Sequence, residues 1–130
     1  MRDYQRIKNN PYFLPRDIYR LTLSFIRSYP QLNERLEDML SESPAPPDGM
    51  PRGSVTGDPT AARASRIEPL TADIRLIERS LNIVPEDYRK PVLESIIYYK
   101  AYPLWAGRTT FATWKQRFIY EVYKNKFWYM

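Results

Sequence analysis

The sequence predicts an all-α protein built from an N-terminal helical hairpin, a long Pro/Gly-rich loop and a three-helix C-terminal part. Apolar side chains recur at three- and four-residue steps through most of the chain. The 12 prolines, against only 4 glycines, favour rigid breaks between helices. A length of 130 residues fits one domain with a working hydrophobic core. We therefore expect one compact domain, with the hairpin over residues 1–42, the loop over 43–59 and the C-terminal part over 60–130.

Two prolines delimit the first helices. Pro15 suits the first turn of a helix, where its missing N–H is not needed. An apolar stripe follows it and predicts a helix from Pro15 to Ser28; its members are Ile18, Leu21 and Phe25. Pro30 ends that element and can open the next, which carries a second stripe of Leu32, Leu36, Met39 and Leu40. The two helices are predicted to form the hairpin.

Residues 43–59 hold five prolines and three glycines, a density that cannot sustain a helix. A loop of this length is unusual within a compact domain. It either wraps over a surface or separates two modules.

The next predicted helix carries a narrow apolar seam. Asp58 and Pro59 suit its N-cap and first turn. Pro69 predicts that the helix either kinks or begins there. The seam is either intramolecular core or the interface of a homodimer, and its members are Ile67, Leu70, Ile74, Ile77 and Leu81.

Two further helices are predicted beyond residue 84. Pro85 opens the first, whose apolar face includes Tyr88, Val92 and Ile96. The segment Ala101–Pro103 breaks it, and Gly107 allows a turn. Thr109 or Thr110 is predicted to cap a last helix that runs to about Phe127.

Composition limits the classes of function. A formal charge of +5 and a pI near 9.5 favour polyanionic partners, and in residues 89–130 eight bases are opposed by only two acids, Glu94 and Glu121. The chain has no cysteine and no histidine, so we expect no enzyme, no cofactor and no metal site. The polar start is not a signal peptide, and no apolar run approaches the roughly 20 residues of a membrane span. We expect a soluble, cytoplasmic protein without a membrane partner.

The last helix carries the candidate binding residues. At 100° per residue, Phe111, Trp114, Phe118 and Val122 fall on one side, which must face a core. The opposite side presents polar and basic side chains suited to base edges and phosphates: Thr113, Gln116, Arg117, Tyr120 and Lys124. The helix N-terminus adds backbone N–H groups near Arg108, Thr109 and Thr110. These eight residues are predicted to contact double-stranded DNA, the alternative being an ordinary solvated helix face.

Aromatic residues near the same bases allow a second interpretation. The set could stack on single-stranded bases, although packing in a core or an interface is the commoner use. Its members are Tyr98, Tyr99, Tyr102, Trp105, Phe127, Trp128 and Tyr129.

Three segments together resemble the phage-encoded late-gene transcriptional regulators of the RinA and ArpU type. They read SPAPPDGMPRGSVTGDPT from Ser43, IVPEDYRKPVLESIIYYKAYP from Ile83 and RTTFATWKQRFIYEVYKN from Arg108. The resemblance implies a C-terminal helix-turn-helix similar to region 4 of sigma factors, and binding to promoter DNA inside the bacterial host. It places Thr110, Thr113, Gln116, Arg117 and Tyr120 at recognition-helix positions. RNA polymerase or another protein is the second class of partner for such a function.

Two other functions fit a small helical phage protein. One is a small terminase subunit, which packages DNA and assembles into rings. The other is an inhibitor that binds a nucleic-acid-handling enzyme of the host.

Overall fold

The computed structural model describes residues 5–41 and 59–128, with the backbone alone for residues 59–64. Its α-helices are α1 (Arg16–Arg27), α2 (Tyr29–Ser41), α3 (Pro59–Ser80), α4 (Glu86–Tyr98) and α5 (Arg108–Phe127). A single 3-10 turn, Leu81–Ile83, follows α3. Within the described ranges no strand occurs, which confirms the all-α prediction. Apart from Pro59, the predicted Pro/Gly-rich loop lies outside the described residues.

The N-terminal pair of helices differs from the predicted hairpin. Only Ser28 separates α1 from α2, and its dihedrals are themselves helical (φ −78°, ψ −8°). An antiparallel hairpin of helices needs a loop of about 2–5 residues, and a single residue is too short to reverse the direction of the chain. Pro30 sits at the start of α2, where no N–H is required, so it opens the helix without enforcing a loop. α2 instead packs mainly on α3.

α5 is the central helix and packs against α1, α3 and α4. The core that they share draws side chains from all four helices and from the segments before α1 and α4. Its buried members are Leu14, Tyr19, Leu23, Ile26, Ile77, Val84, Val92, Ile96, Phe111, Phe118, Ile119 and Val122. The N-terminal third of the chain is thus part of the same core as the C-terminal helices.

The apolar seam of α3 packs within the chain. Ile74 and Ile77 are buried, while Ile67, Leu70 and Leu81 are half-buried. The helix begins at Pro59 and runs through Pro69 to Ser80, so Pro69 does not start it. For Ile74 and Ile77, the two buried members of the five, the structure supports the intramolecular core and not a homodimer interface.

The junction from α4 to α5 places the start of α5. Tyr99 ends α4 in the left-handed conformation (φ 56°), and the guanidinium of Arg27 lies 4.6 Å from the centre of its ring. The Nε of Arg27 also donates to the carbonyl of Ile96 at 2.9 Å, which satisfies one of the free carbonyls at the helix end. α5 then begins at Arg108 after Gly107, so Thr109 and Thr110 lie inside the helix and do not cap it as predicted.

No helix in the described part of the chain is both long and apolar enough to cross a bilayer.

Candidate nucleic-acid interface

One side of α5 is fixed by the core, as its sequence predicts. Phe111, Phe118 and Val122 are fully buried, and Trp114 is half-buried at the edge of that side. Ile119 is also buried, a position that the predicted apolar side did not include. The helix cannot rotate without exposing these side chains, so its remaining sides have a fixed orientation.

Seven of the eight predicted DNA-contacting residues divide between two sides of α5, and the eighth, Tyr120, lies against the N-terminal segment. At 100° per residue, Thr110, Thr113, Arg117 and Lys124 lie on the side away from the buried residues, and we call these four the outward face. Arg108, Thr109 and Gln116 line a groove on the adjacent side, with Thr113 at the border between the two. Tyr120 lies beside the N-terminal segment and is half-buried.

The outward face is open over most of its length. Thr110, Thr113 and Lys124 are exposed, and Arg117 is half-buried. The Arg117 guanidinium lies 5.7 Å from the ring centre of Tyr12 and 5.5 Å from that of Trp114. No acid within residues 5–41 and 59–128 forms an ion pair with Arg117, whereas Lys124 lies 3.5 Å from Glu121. The Arg117 charge is therefore oriented by two rings and is not neutralised by a described carboxylate.

Residues 5–14, which precede α1, cover the part of α5 next to the outward face. The ring of Tyr12 meets Tyr120 edge-on, with 5.4 Å between centroids. The Nε2 of Gln116 donates to the Tyr12 carbonyl at 2.7 Å and to Gln5 Oε1 at 3.0 Å. Both amide hydrogens of Gln116 are thus used inside the chain and are not available to read an adenine.

Gln5 holds the covering segment in place. Its Oε1 accepts from the Leu14 N–H at 2.9 Å, and its Nε2 donates to the Leu14 carbonyl at 2.8 Å. Together with the bond from Gln116 to Gln5, they hold the start of the segment, which includes Arg6, against α5. Periodicity could not predict this packing, because the segment forms no helix and its partners are distant in the chain.

We expect Gln5→Ala to release this segment. The substitution removes the bonds to Leu14 and leaves one amide hydrogen of Gln116 without its partner, at a cost of about 1–3 kcal/mol. Hydrogen exchange should show faster exchange of the Leu14 amide. The matched control is Gln31→Ala, since Gln31 is exposed on α2. Equal exchange rates in the wild type and in Gln5→Ala would contradict the assigned role.

A groove of about 1140 Å³ lies on the adjacent side of α5. One wall is the N-terminal segment, the other is the connection between α4 and α5, and the floor includes Thr109, Ala112 and Gln116. Among the described residues that line it, three are cationic, namely Arg6, Arg108 and Lys115, and none is acidic. We call it the basic groove.

The wall between α4 and α5 is anchored by aromatic packing. Tyr102 lies 4.2 Å from Phe111, and Trp105 lies 5.0 Å from Tyr88, as ring-centroid distances. Burial raises the pKa of Tyr102, and the charge of Arg108 opposes that rise. The phenol therefore stays protonated at neutral pH. Leu104 of the same wall projects fully into solvent, with 105% relative exposure.

The acidic side chains Glu34, Glu37 and Asp38 lie on α2, which packs mainly on α3. In the ranges that the structure describes, no three His, Cys, Asp or Glu side chains converge on a possible metal site.

Comparison of the chain with known protein families, with curated proteins and with solved structures found no match in any of the three.

Proposed function

We propose that the protein binds double-stranded promoter DNA through the outward face of α5 and regulates phage transcription in the bacterial cytoplasm. The observation that carries the proposal is the outward face itself, where exposed Thr110, Thr113 and Lys124 flank the cation of Arg117. Hydroxyl, guanidinium and ammonium groups at helical spacing suit phosphates and base edges. The proposed function is binding, and it requires no catalytic group or cofactor.

Each residue of the outward face has a distinct proposed role. Thr110 and Thr113 lie in the first two turns of α5 and approach the sugar-phosphate backbone or thymine methyl groups. Arg117 presents two parallel N–H donors to guanine or phosphate, held by the Tyr12 and Trp114 rings. Lys124 contacts a phosphate as a point charge.

The resemblance to late-gene regulators adds the proposed docking mode, in which α4 and α5 act as a helix-turn-helix. Residues 99–107 join the two helices and are longer than the about 3–4 residues of the ordinary motif. Arg6 and Lys8 lie on the N-terminal segment that packs on α5 and are proposed to add phosphate contacts beside the recognition helix. RNA polymerase would be the second partner of such a regulator.

The test is the affinity for duplex DNA of Thr110→Glu. A carboxylate at this exposed position faces the proposed phosphates and should weaken binding by about tenfold or more. Acids near a helix N-terminus stabilise the helix, so the substitution should not unfold the protein. Affinity is measured by fluorescence anisotropy with phage promoter duplexes at several salt concentrations, because phosphate contacts make affinity fall with salt.

The matched control is Ala72→Glu, which makes the same change of charge relative to the wild type at an exposed position of α3. It should bind duplex DNA nearly as the wild type does. A wild type that binds phage promoters no better than unrelated duplexes would refute the proposed function. Equal losses in the two variants would show that net charge alone governs binding.

A further inference from the structure

We infer that the basic groove is a binding site for an unpaired segment of nucleic acid, with phosphates on Arg6 and Arg108 and bases against the Tyr102–Leu104 wall. The inference goes beyond the proposed function, because the groove and the outward face lie on different sides of α5. The observation behind it is that cationic side chains and an apolar wall line one open groove.

The size of the groove favours an elongated ligand. Its volume of about 1140 Å³ exceeds the roughly 300–1,000 Å³ of pockets that bury a small molecule. Ala112 contributes only a methyl group to the floor, and it is exposed. The space is therefore open to several repeating units of a chain molecule.

The charge of the groove favours an anion. Arg6 and Arg108 are exposed on opposite walls, and neither forms an ion pair with any residue in the described ranges. Lys115 is positioned inside by Ser95, to whose Oγ it donates at 3.3 Å, and lies 5.8 Å from the Tyr102 ring centre. None of the described lining residues is acidic, so Arg6 and Arg108 face no carboxylate among them.

The apolar wall favours bases over acidic side chains. Tyr102, Pro103 and Leu104 are consecutive in this wall, and Leu104 is fully exposed. An acidic peptide would satisfy the cations but would offer no planar apolar groups to this wall. Unpaired nucleotides offer both phosphates and base faces, whereas a duplex hides its base faces in the stack.

The experiment measures binding of a fluorescent oligothymidine of about eight nucleotides, within the roughly 4–16 nucleotides that single-strand sites commonly cover. The wild type should bind it, and Ala112→Glu should weaken binding by about tenfold, because the new carboxylate lies on the groove floor. Arg6→Gln should also weaken binding, and since Arg6 is exposed it serves as a second variant if Ala112→Glu folds poorly. Circular dichroism checks the fold of each variant.

Two controls separate this site from the outward face. Ala72→Glu makes the same change at a distant exposed position and should leave oligothymidine binding unchanged. Thr110→Glu should weaken duplex binding but leave oligothymidine binding close to that of the wild type. If neither the wild type nor any variant bound duplex DNA while the wild type still bound oligothymidine, the proposed function would be overturned. The groove would remain supported as a single-strand site.

Three outcomes would overturn the inference. The first is no binding of oligothymidine by the wild type, whatever its duplex affinity. The second is an equal effect of Ala112→Glu and Ala72→Glu, which would assign binding to net charge. The third is equal competition by an oligoglutamate peptide of the same charge, which would identify the groove as a site for acidic peptides.

Discussion

Phe118→Ala is expected to destabilise the protein by about 3–5 kcal/mol, the range for removal of a buried phenylalanine side chain. The side chain has 0% exposure and lies in the core where α5 meets its neighbours. Close packing prevents full collapse around the lost ring, so a cavity adds to the lost burial. Urea unfolding followed by circular dichroism should show a lower midpoint with an unchanged slope.

The control is Leu104→Ala, which removes an equally apolar side chain that is wholly exposed at 105%. It should change the free energy of unfolding by no more than about 0.5 kcal/mol. If Phe118→Ala were as stable as this control, the side of α5 that carries Phe118 would not be buried in the core. The orientation of the outward face and of the basic groove would then be wrong as well.

The sides of α5 were predictable from sequence because helical periodicity is a local signal. Phe111, Phe118 and Val122 recur at steps that allow only one buried side, and the structure buries all three. The starts of α1, α3 and α4 were predicted almost as well, since Pro15, Pro59 and Pro85 each stand at or beside one of them. Local patterns thus determined most of the element order.

The division of the candidate residues between two sides of α5 was not predictable. It depends on contacts between residues far apart in sequence, such as Gln116 Nε2 with Gln5 Oε1 at a separation of 111 positions. A glutamine on a polar helix side looks the same in sequence whether it faces solvent or another segment. The segment before α1 has no periodicity, and its turn signal at Asn10 and Pro11 carries no information on what the segment packs against.

The packing of α2 was mispredicted for a related reason. Pro30 is equally compatible with the end of a loop and with the first turn of a helix that follows α1 without a loop. The apolar stripe of α2 shows that one side is covered, but it carries no information on which helix covers it. In the structure that helix is mainly α3.

The two proposed binding surfaces share one helix, and this has a mechanistic consequence. The outward face suits a duplex, and the basic groove beside it suits an unpaired strand. A nucleic acid with a duplex next to an opened segment could therefore contact both sides of α5 together. The proposals predict tighter binding to a duplex with a single-stranded extension than to either part alone, since linked contacts raise the effective concentration.

Ile77→Ala is the second substitution with a large expected effect. Ile77 has 0% exposure and lies in the seam of α3, so its truncation should cost about 2–5 kcal/mol. If the seam serves the core of a single chain, the unfolding midpoint of the wild type should not depend on protein concentration. Thermal unfolding of the wild type and of Ile77→Ala over a hundredfold range of protein concentration measures the loss of stability and the concentration dependence of the midpoint.

Ile7→Ala is the matched control, since Ile7 is 77% exposed outside the helices. Its effect on the free energy of unfolding should stay within about 0.5 kcal/mol. A wild-type midpoint that rises with concentration, and ceases to do so in Ile77→Ala, would assign the seam to a homodimer instead. That result would require α3 to leave its place against α5, because Ile77 cannot pack in the monomer core and in an interface at once.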